Sequence, residues 1–181
     1  MNWDIKEIHN YNEYMQKYSI HSLLAKIFAQ RKYNEQDIQG HTSKKLIYHD
    51  FSLFLDADLV LDRIQEALEN DEKICIYGDY DCDGILSTAI LVQTFLELGK
   101  KVGYHIPNRF EDGYGLNKER VQQMYEKGYS LLITVDNGIK AYEAIDLANE
   151  LGIDVIVIDH HDYDELPDAC QSFIQKCHRI I

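Results

Sequence analysis

From residue 73 onward the chain repeats one pattern: a short apolar run, a polar exit, then a longer amphipathic run. The apolar runs are KICIYGD, KVGYHIP, SLLITVD and IDVIVID. They read as buried strands, and Pro107 ends the second of them. Between them GILSTAILVQTFLELG, NKERVQQMYEKG and IKAYEAIDLANELG read as helices, the first closed by Gly99. Strands that alternate with helices and are buried on both faces indicate an α/β fold with a parallel, doubly wound sheet.

Residues 1–72 lack that alternation and read as a helical leader. Tyr11, Tyr14 and Tyr18 recur at helical spacing toward LLAKIFAQR, and LDADLVLDRIQEALEN is a second amphipathic run. The tyrosines suit a packing seam better than a stacking platform for bases. The expected organisation is a leader at 1–72, an α/β core at 73–169 and a divergent tail at 170–181.

Charge narrows the function. With 18 basic and 31 acidic residues the net charge is −13, which repels phosphate backbones and by itself argues against a nucleic-acid binder. The same balance fits a protein whose metal-ligating carboxylates are counted without their cations. No run approaches the roughly 18 apolar residues of a membrane helix, and MNWDIKEIHN lacks a signal-peptide apolar region. A cytoplasmic protein with no membrane partner is expected. Cys75, Cys82, Cys170 and Cys177 form no C-x-x-C pair, so reduced thiols are expected rather than a zinc site.

The polar exits carry the chemistry. The first strand runs into YGDYDCDGILS, with Asp79, Asp81 and Asp83 at alternate positions. The second runs into Asn108 and Arg109, the third into Asp136 of TVDNG, and the fourth into Asp159, His160 and His161 of VIDHHD. Parallel sheets place their sites beyond the carboxyl ends of the strands. Carboxylates gathered there raise one another's pKa unless cations neutralise them. Mixed carboxylate and imidazole ligands suit manganese or magnesium, and five or six of them point to two ions sharing one carboxylate. Taken singly, an aspartate after a strand is an ordinary helix cap. Convergence of three such exits favours the metal site.

Two families match parts of this pattern. DCDGIL looks like the aspartyl-phosphate motif of haloacid-dehalogenase phosphatases, but Ile85 stands where they prefer Thr or Val, and His160–His161 stay unexplained. DYDCDG, VDNG and DHH resemble, in order and spacing, the first three motifs of the DHH-family phosphoesterases. IPNRFEDGYGLN and the helical leader resemble the branch of that family that degrades single-stranded DNA. The resemblance implies that Asp81, Asp83, Asp136 and His160 are metal ligands, with Asp136 the bridge. It implies that Asp79 and Asp159 lie beside them as ligands or orienting groups. His161 would face the scissile phosphate, and Arg109 would contact a substrate phosphate. The implied activity is a manganese- or magnesium-dependent exonuclease that releases mononucleotides from a single-stranded 5′ end. A single-strand-binding protein or helicase is the implied class of protein partner.

The tail departs from the family. After LPDA such proteins continue with a strand resembling A-I-I-N-P-K, a fourth metal-binding aspartate motif, a DHHA1 domain and an OB fold. Here the sequence reads CQSFIQKCHRII. Back-translating QSFIQK, supplying one G before it and regrouping the bases yields Ala-Ile-Ile-(Tyr or His)-Pro-Lys. The expectation is a frameshifted tail and a chain that is inactive by itself, its second metal short of a ligand. The rival readings are a small-nucleotide phosphodiesterase of the same superfamily and a non-catalytic remnant that binds a repair or replication partner.

Overall fold

The computed structural model describes residue 8, residues 10–43, 50–54, 56–108 and 115–162, and the backbone of 174–176. Residues 10–43 and the residues from Asp50 onward belong to separate compact units.

The first unit holds α1 (Tyr11–Tyr18), α2 (Ser22–Gln30) and α3 (Glu35–Thr42). Ala25, Phe28 and Ile38 form its buried centre. Asn34 caps α3 reciprocally with Asp37, each side chain accepting the other's backbone N–H at 3.0 Å. The tyrosines of α1 are half-buried. Tyr14 donates to the Tyr33 carbonyl at 3.2 Å, and its ring centre lies 6.1 Å from that of Tyr18. The stripe is thus partly used in packing.

The second unit runs α4 (Ala57–Glu69), β1 (Ile74–Tyr77), α5 (Cys82–Glu97), β2 (Gly103–His105), α6 (Lys118–Glu126), β3 (Leu131–Val135), α7 (Tyr142–Glu150), β4 (Asp154–Asp159) and β5 (Ile174–Lys176). All five strands are parallel, in the order β2-β1-β3-β4-β5. Ile74 pairs with Leu131 and Leu131 with Asp154, so β1, β3 and β4 start level and end beside one another. Strand order reverses at β1, between β2 and β3, and that reversal opens a crevice at the carboxyl ends. The short β5 lies in the tail, where apolar patterning alone flags no strand.

β1, β3 and β4 bury both faces. Ile74, Ile76, Leu131, Ile133 and Ile156 pack with Val60 and Ala67 of α4 and Phe95 of α5. Cys75, Tyr77, Leu132, Val155 and Val157 pack on the other side with Val121 and Met124 of α6 and Ile145 and Ala148 of α7. Burial pushes the Cys75 thiol up to about 12, which leaves it an inert core residue. The packing of α4 moves a boundary. By its pattern that helix groups with the leader, yet it covers one face of the sheet, so a line at residue 72 falls inside the second unit. An amphipathic run shows which face it buries but not against what.

Arg63 of α4 ties the amino ends of the strands together. Its guanidinium donates to both Glu72 oxygens, at 3.1 and 2.7 Å, and to Asp154 at 2.6 Å. Ser130 donates to the same Glu72 at 2.6 Å. Removing one partner of a largely buried pair strands the other charge. Arg63→Met is expected to cost about 2–3 kcal/mol, read as a fall in denaturant midpoint. Arg63 holds Glu72 below its ordinary value. A carboxylate depressed in the fold stabilises above its unfolded pKa, about 4.3, and loses that contribution as pH falls through the folded value. The stability gap between wild type and Glu72→Gln should therefore be full at neutral pH and close on acidification below about pH 4. A gap constant from pH 7 to pH 3 would refute this role.

Candidate metal centre at the carboxyl ends of the strands

Beyond β1 the chain turns directly into α5, and Asp81 is the cap. Its Oδ1 accepts from the N–H groups of Asp83 at 2.9 Å and Gly84 at 3.2 Å. The Gly84 N–H, above all, holds Asp81 below its ordinary pKa. Asp79 lies at the floor, 2% exposed, and among the described residues its Oδ1 finds no hydrogen-bond partner. A buried carboxylate oxygen with no donor is costly unless something cationic meets it.

Beyond β3 the chain is bent to aim one side chain. Asp136 adopts a left-handed backbone, φ 62°, which Asp tolerates better than most residues. Its N–H donates to the Ile158 carbonyl at 2.9 Å, extending the β3–β4 pairing. Asn137 then donates to the Val135 carbonyl at 2.9 Å and the Tyr77 carbonyl at 3.2 Å, pinning the ends of β1 and β3 together. Burial, then the Asp81 carboxylate, push Asp136 above its ordinary pKa, against His160 and His161. Two close carboxylates disfavour joint ionisation, and a divalent cation removes that conflict.

Beyond β4 come Asp159, His160 and His161. The Asp159 side chain is 1% exposed and takes three donors: the Ile139 N–H at 3.0 Å, the His161 N–H at 3.1 Å and His161 Nδ1 at 2.7 Å. Because a carboxylate accepts, Nδ1 is the donor in this contact. His160 Nε2 lies 3.0 Å from Asp136 Oδ1.

These exits converge. Asp79, Asp81 and Asp136 bring ligand atoms within 4.8 Å of one another, and so do Asp136, His160 and His161. Asp136 belongs to both groups, where a carboxylate bridging two cations would stand. The donor set and the orphaned Asp79 oxygen both fit divalent cations of the manganese or magnesium type.

Asp83 stands apart. Alternation along an extended chain predicts that it shares a face with Asp79 and Asp81. The chain becomes helical at Cys82, however, and Asp83 is exposed in the first turn of α5. Among the described residues no close ligand group includes it. His161, expected to face substrate, has a ring nitrogen within 4.8 Å of ligand atoms of Asp136 and His160. Arg109, the tail cysteines and the expected core-to-tail boundary at 169–170 lie outside the described residues. Asn137 is a site residue that sequence reasoning misses, though its position between Asp136 and Gly138 in TVDNG is a usable signal.

The profile of the DHH family, N-terminal domain, matches residues 73–178. The chain belongs to the DHH family.

Curated relatives of this DHH chain include two single-stranded-DNA-specific exonucleases named RecJ. That of Bacillus subtilis (strain 168) is 49% identical over 109 residues, 60% of this chain and 14% of the relative. That of Escherichia coli (strain K12) is 37% identical over 150 residues, 81% of this chain and 26% of the relative. The DHH chain therefore spans about a quarter or less of the length of these relatives. It also resembles the crystal structure of an exonuclease RecJ bound to manganese, with TM-score 0.60 and 35% identity over 74% of this chain and 33% of that one. The RecJ of Thermus thermophilus in complex with Mn2+ gives TM-score 0.59 and 27% identity over 96% of this chain and 24% of that one.

Proposed function

We propose that this chain supplies the metal-holding part of a RecJ-like exonuclease that removes mononucleotides from the 5′ end of single-stranded DNA in the cytoplasm. The observation that carries the reading is the sharing of Asp136 between two ligand groups at the sheet's switch point. Asp79, Asp81 and Asp136 would hold one cation, and Asp136, His160 and His161 a second. Manganese is favoured because imidazole takes part and because the similar solved structures are manganese complexes. When bound, such cations supply charge neutralisation and activation of water for attack on a phosphodiester.

The chain's own residues do the rest. Asp81 is aimed by its cap bonds to α5, and Asp136 by its left-handed backbone. Asp159 fixes the orientation of the His161 ring through its contact with Nδ1. Asp159 is on this account a positioning residue. Arg109 would clamp a substrate phosphate through its planar donor fork. The acidic balance of the chain requires that bound cations offset its repulsion of a phosphate backbone.

The test uses this chain and a chimera in which its residues replace the matching 109 residues of the Bacillus subtilis relative. With Mn2+, the chimera should release mononucleotides from a labelled single strand and leave blunt duplex intact. This chain alone should release far fewer. Preferential cleavage of a dinucleotide would favour the small-nucleotide phosphodiesterase. A folded chimera that binds no manganese would favour the non-catalytic remnant.

A further inference from the structure

Helix α5 is apolar on nearly every side. Phe95 is buried against the sheet, with Leu91 and Val92 packed beside it. The opposite side carries Ile85, Leu86, Ala89, Ile90 and Leu96, all exposed. Leu86 is 61% exposed and Ile90 65%. The charged residues of the helix, Asp83 and Glu97, stand only in its first and last turns. A helix that is apolar all round is ordinarily covered all round, and a contiguous exposed apolar strip marks an interaction surface.

The helix beside it on the same face of the sheet has the opposite character. Val60 and Ala67 of α4 pack inward, in one cluster with Phe95 of α5. Asp58, Asp62, Glu66 and Glu69 are exposed and, at helical spacing, share the outward side of α4. Arg63 is the one basic residue of the two helices, and its guanidinium is committed to Glu72 and Asp154. This face therefore presents an apolar ridge next to a row of uncompensated acids.

We propose that α4 and α5 form a docking face for a basic amphipathic helix of a protein partner, whose apolar row lies on Leu86 and Ile90 and whose Lys or Arg row meets the acids of α4.

Charge decides between the possible occupants. A nucleic acid would bring its phosphates against Asp58, Asp62, Glu66 and Glu69, with no free cation on either helix to meet them. A second copy would bring another chain of net charge −13 and another acidic row to the same place. A basic helix satisfies both halves of the face at once. Its apolar side chains supply affinity by leaving water, while its cations set orientation and exclude acidic competitors. Leu86 and Ile90, four residues apart, form one ridge of α5, and the small Ala89 beside them leaves a low point for a partner side chain.

The face lies apart from the ligand groups of the metal centre, so docking and metal binding can be read separately. The probe is a labelled 16-residue peptide, the length of α5, with Leu at amphipathic helical spacing and Lys at its polar positions. One control replaces every Lys with Glu, and a second keeps the composition but scrambles the order. Fluorescence anisotropy with the full chain should show the basic amphipathic peptide binding at least about 10-fold more tightly than either control, and less tightly as salt rises. Leu86→Gln combined with Ile90→Gln should weaken it at least about 10-fold, the effect of removing central anchors. Asp62→Lys combined with Glu66→Lys should weaken it and flatten its salt dependence. Both double variants should bind manganese as the wild type does. Amide shifts of the wild-type chain should move at Asp62, Glu66, Leu86 and Ile90, and that map keeps the test decisive if a variant misfolds. Equal binding of the scrambled or the Glu peptide, unchanged binding by either double variant, or shifts that avoid α4 and α5 would overturn the proposal. So would displacement of the peptide by a single-stranded oligonucleotide, which would give the face to nucleic acid. Sedimentation showing a dimer that Leu86→Gln with Ile90→Gln dissociates would give it to a second copy and overturn the proposal likewise.

Discussion

Asp136→Asn is expected to lower manganese affinity by more than about 100-fold, because loss of groups that merely orient ligands already costs 10- to 100-fold. In the chimera it should reduce nucleotide release to background. Asparagine is the informative replacement. It keeps the shape of the side chain and tolerates the left-handed backbone at φ 62°, so what it removes is the charge. Alanine would add backbone strain to the loss of a ligand. The carboxylate matters doubly, since its atoms join both the Asp79–Asp81 group and the His160–His161 group. Metal-free stability should move the other way. Burial and the Asp81 carboxylate both disfavour the Asp136 charge, so the neutral amide should leave the apo protein as stable as wild type or more so. Titration calorimetry with Mn2+ and thermal unfolding in chelator measure the two quantities separately. Retention of manganese affinity within about threefold of wild type would exclude Asp136 as a shared ligand.

The strands were legible because a strand covered on both faces must be apolar throughout, as LLITV of β3 is, with all five residues buried. The exits were legible because Asp and His directly after such runs have few structural uses that recur three times on one edge. Other features depend on how backbone turns in space. The helical signal in IKAYEAIDLANELG suggests a start at Ile139, yet α7 begins at Tyr142. The intervening residues form the turn that Asp159 holds, and a periodic pattern cannot show that the Ile139 N–H has gone to a side chain 20 residues away. Asp83 shows the same limit at the other exit. A two-residue repeat predicts one face only while the chain stays extended, and helix geometry from Cys82 onward carries Asp83 off that face. Asn137 escapes notice because its amide serves backbone carbonyls of two strands, which no composition or spacing reveals.

Gly84→Ala should cost about 2–3 kcal/mol and disable the metal centre with it, against the usual sign for such a change. Inside a helix, alanine is normally the better residue by about 1 kcal/mol. Gly84 lies in the first turn of α5, where that rule meets a wall. An added Cβ would stand 2.4 Å from the Asp79 nitrogen and 2.6 Å from both its Cα and its carbonyl oxygen. All three are backbone atoms, so no rotamer change relieves the contact; either the helix or the strand exit must move. Gly84 also donates to Asp81 and accepts from Thr88 at 2.7 Å, and a Cβ on Gly78 would meet that same threonine hydroxyl at 2.1 Å. A shift of α5 therefore carries Asp81 away from Asp79 and opens the first ligand group. Gly40 supplies the internal control. It sits within α3, with nothing inside 4 Å of its would-be Cβ, so Gly40→Ala should stabilise by about 0.5–1 kcal/mol and leave manganese binding untouched. Denaturant midpoints and manganese titrations of the two variants give the comparison. Equal stability and equal metal affinity in Gly84→Ala and wild type would mean that the close approach of α5 to Asp79 is not what sets the ligand geometry.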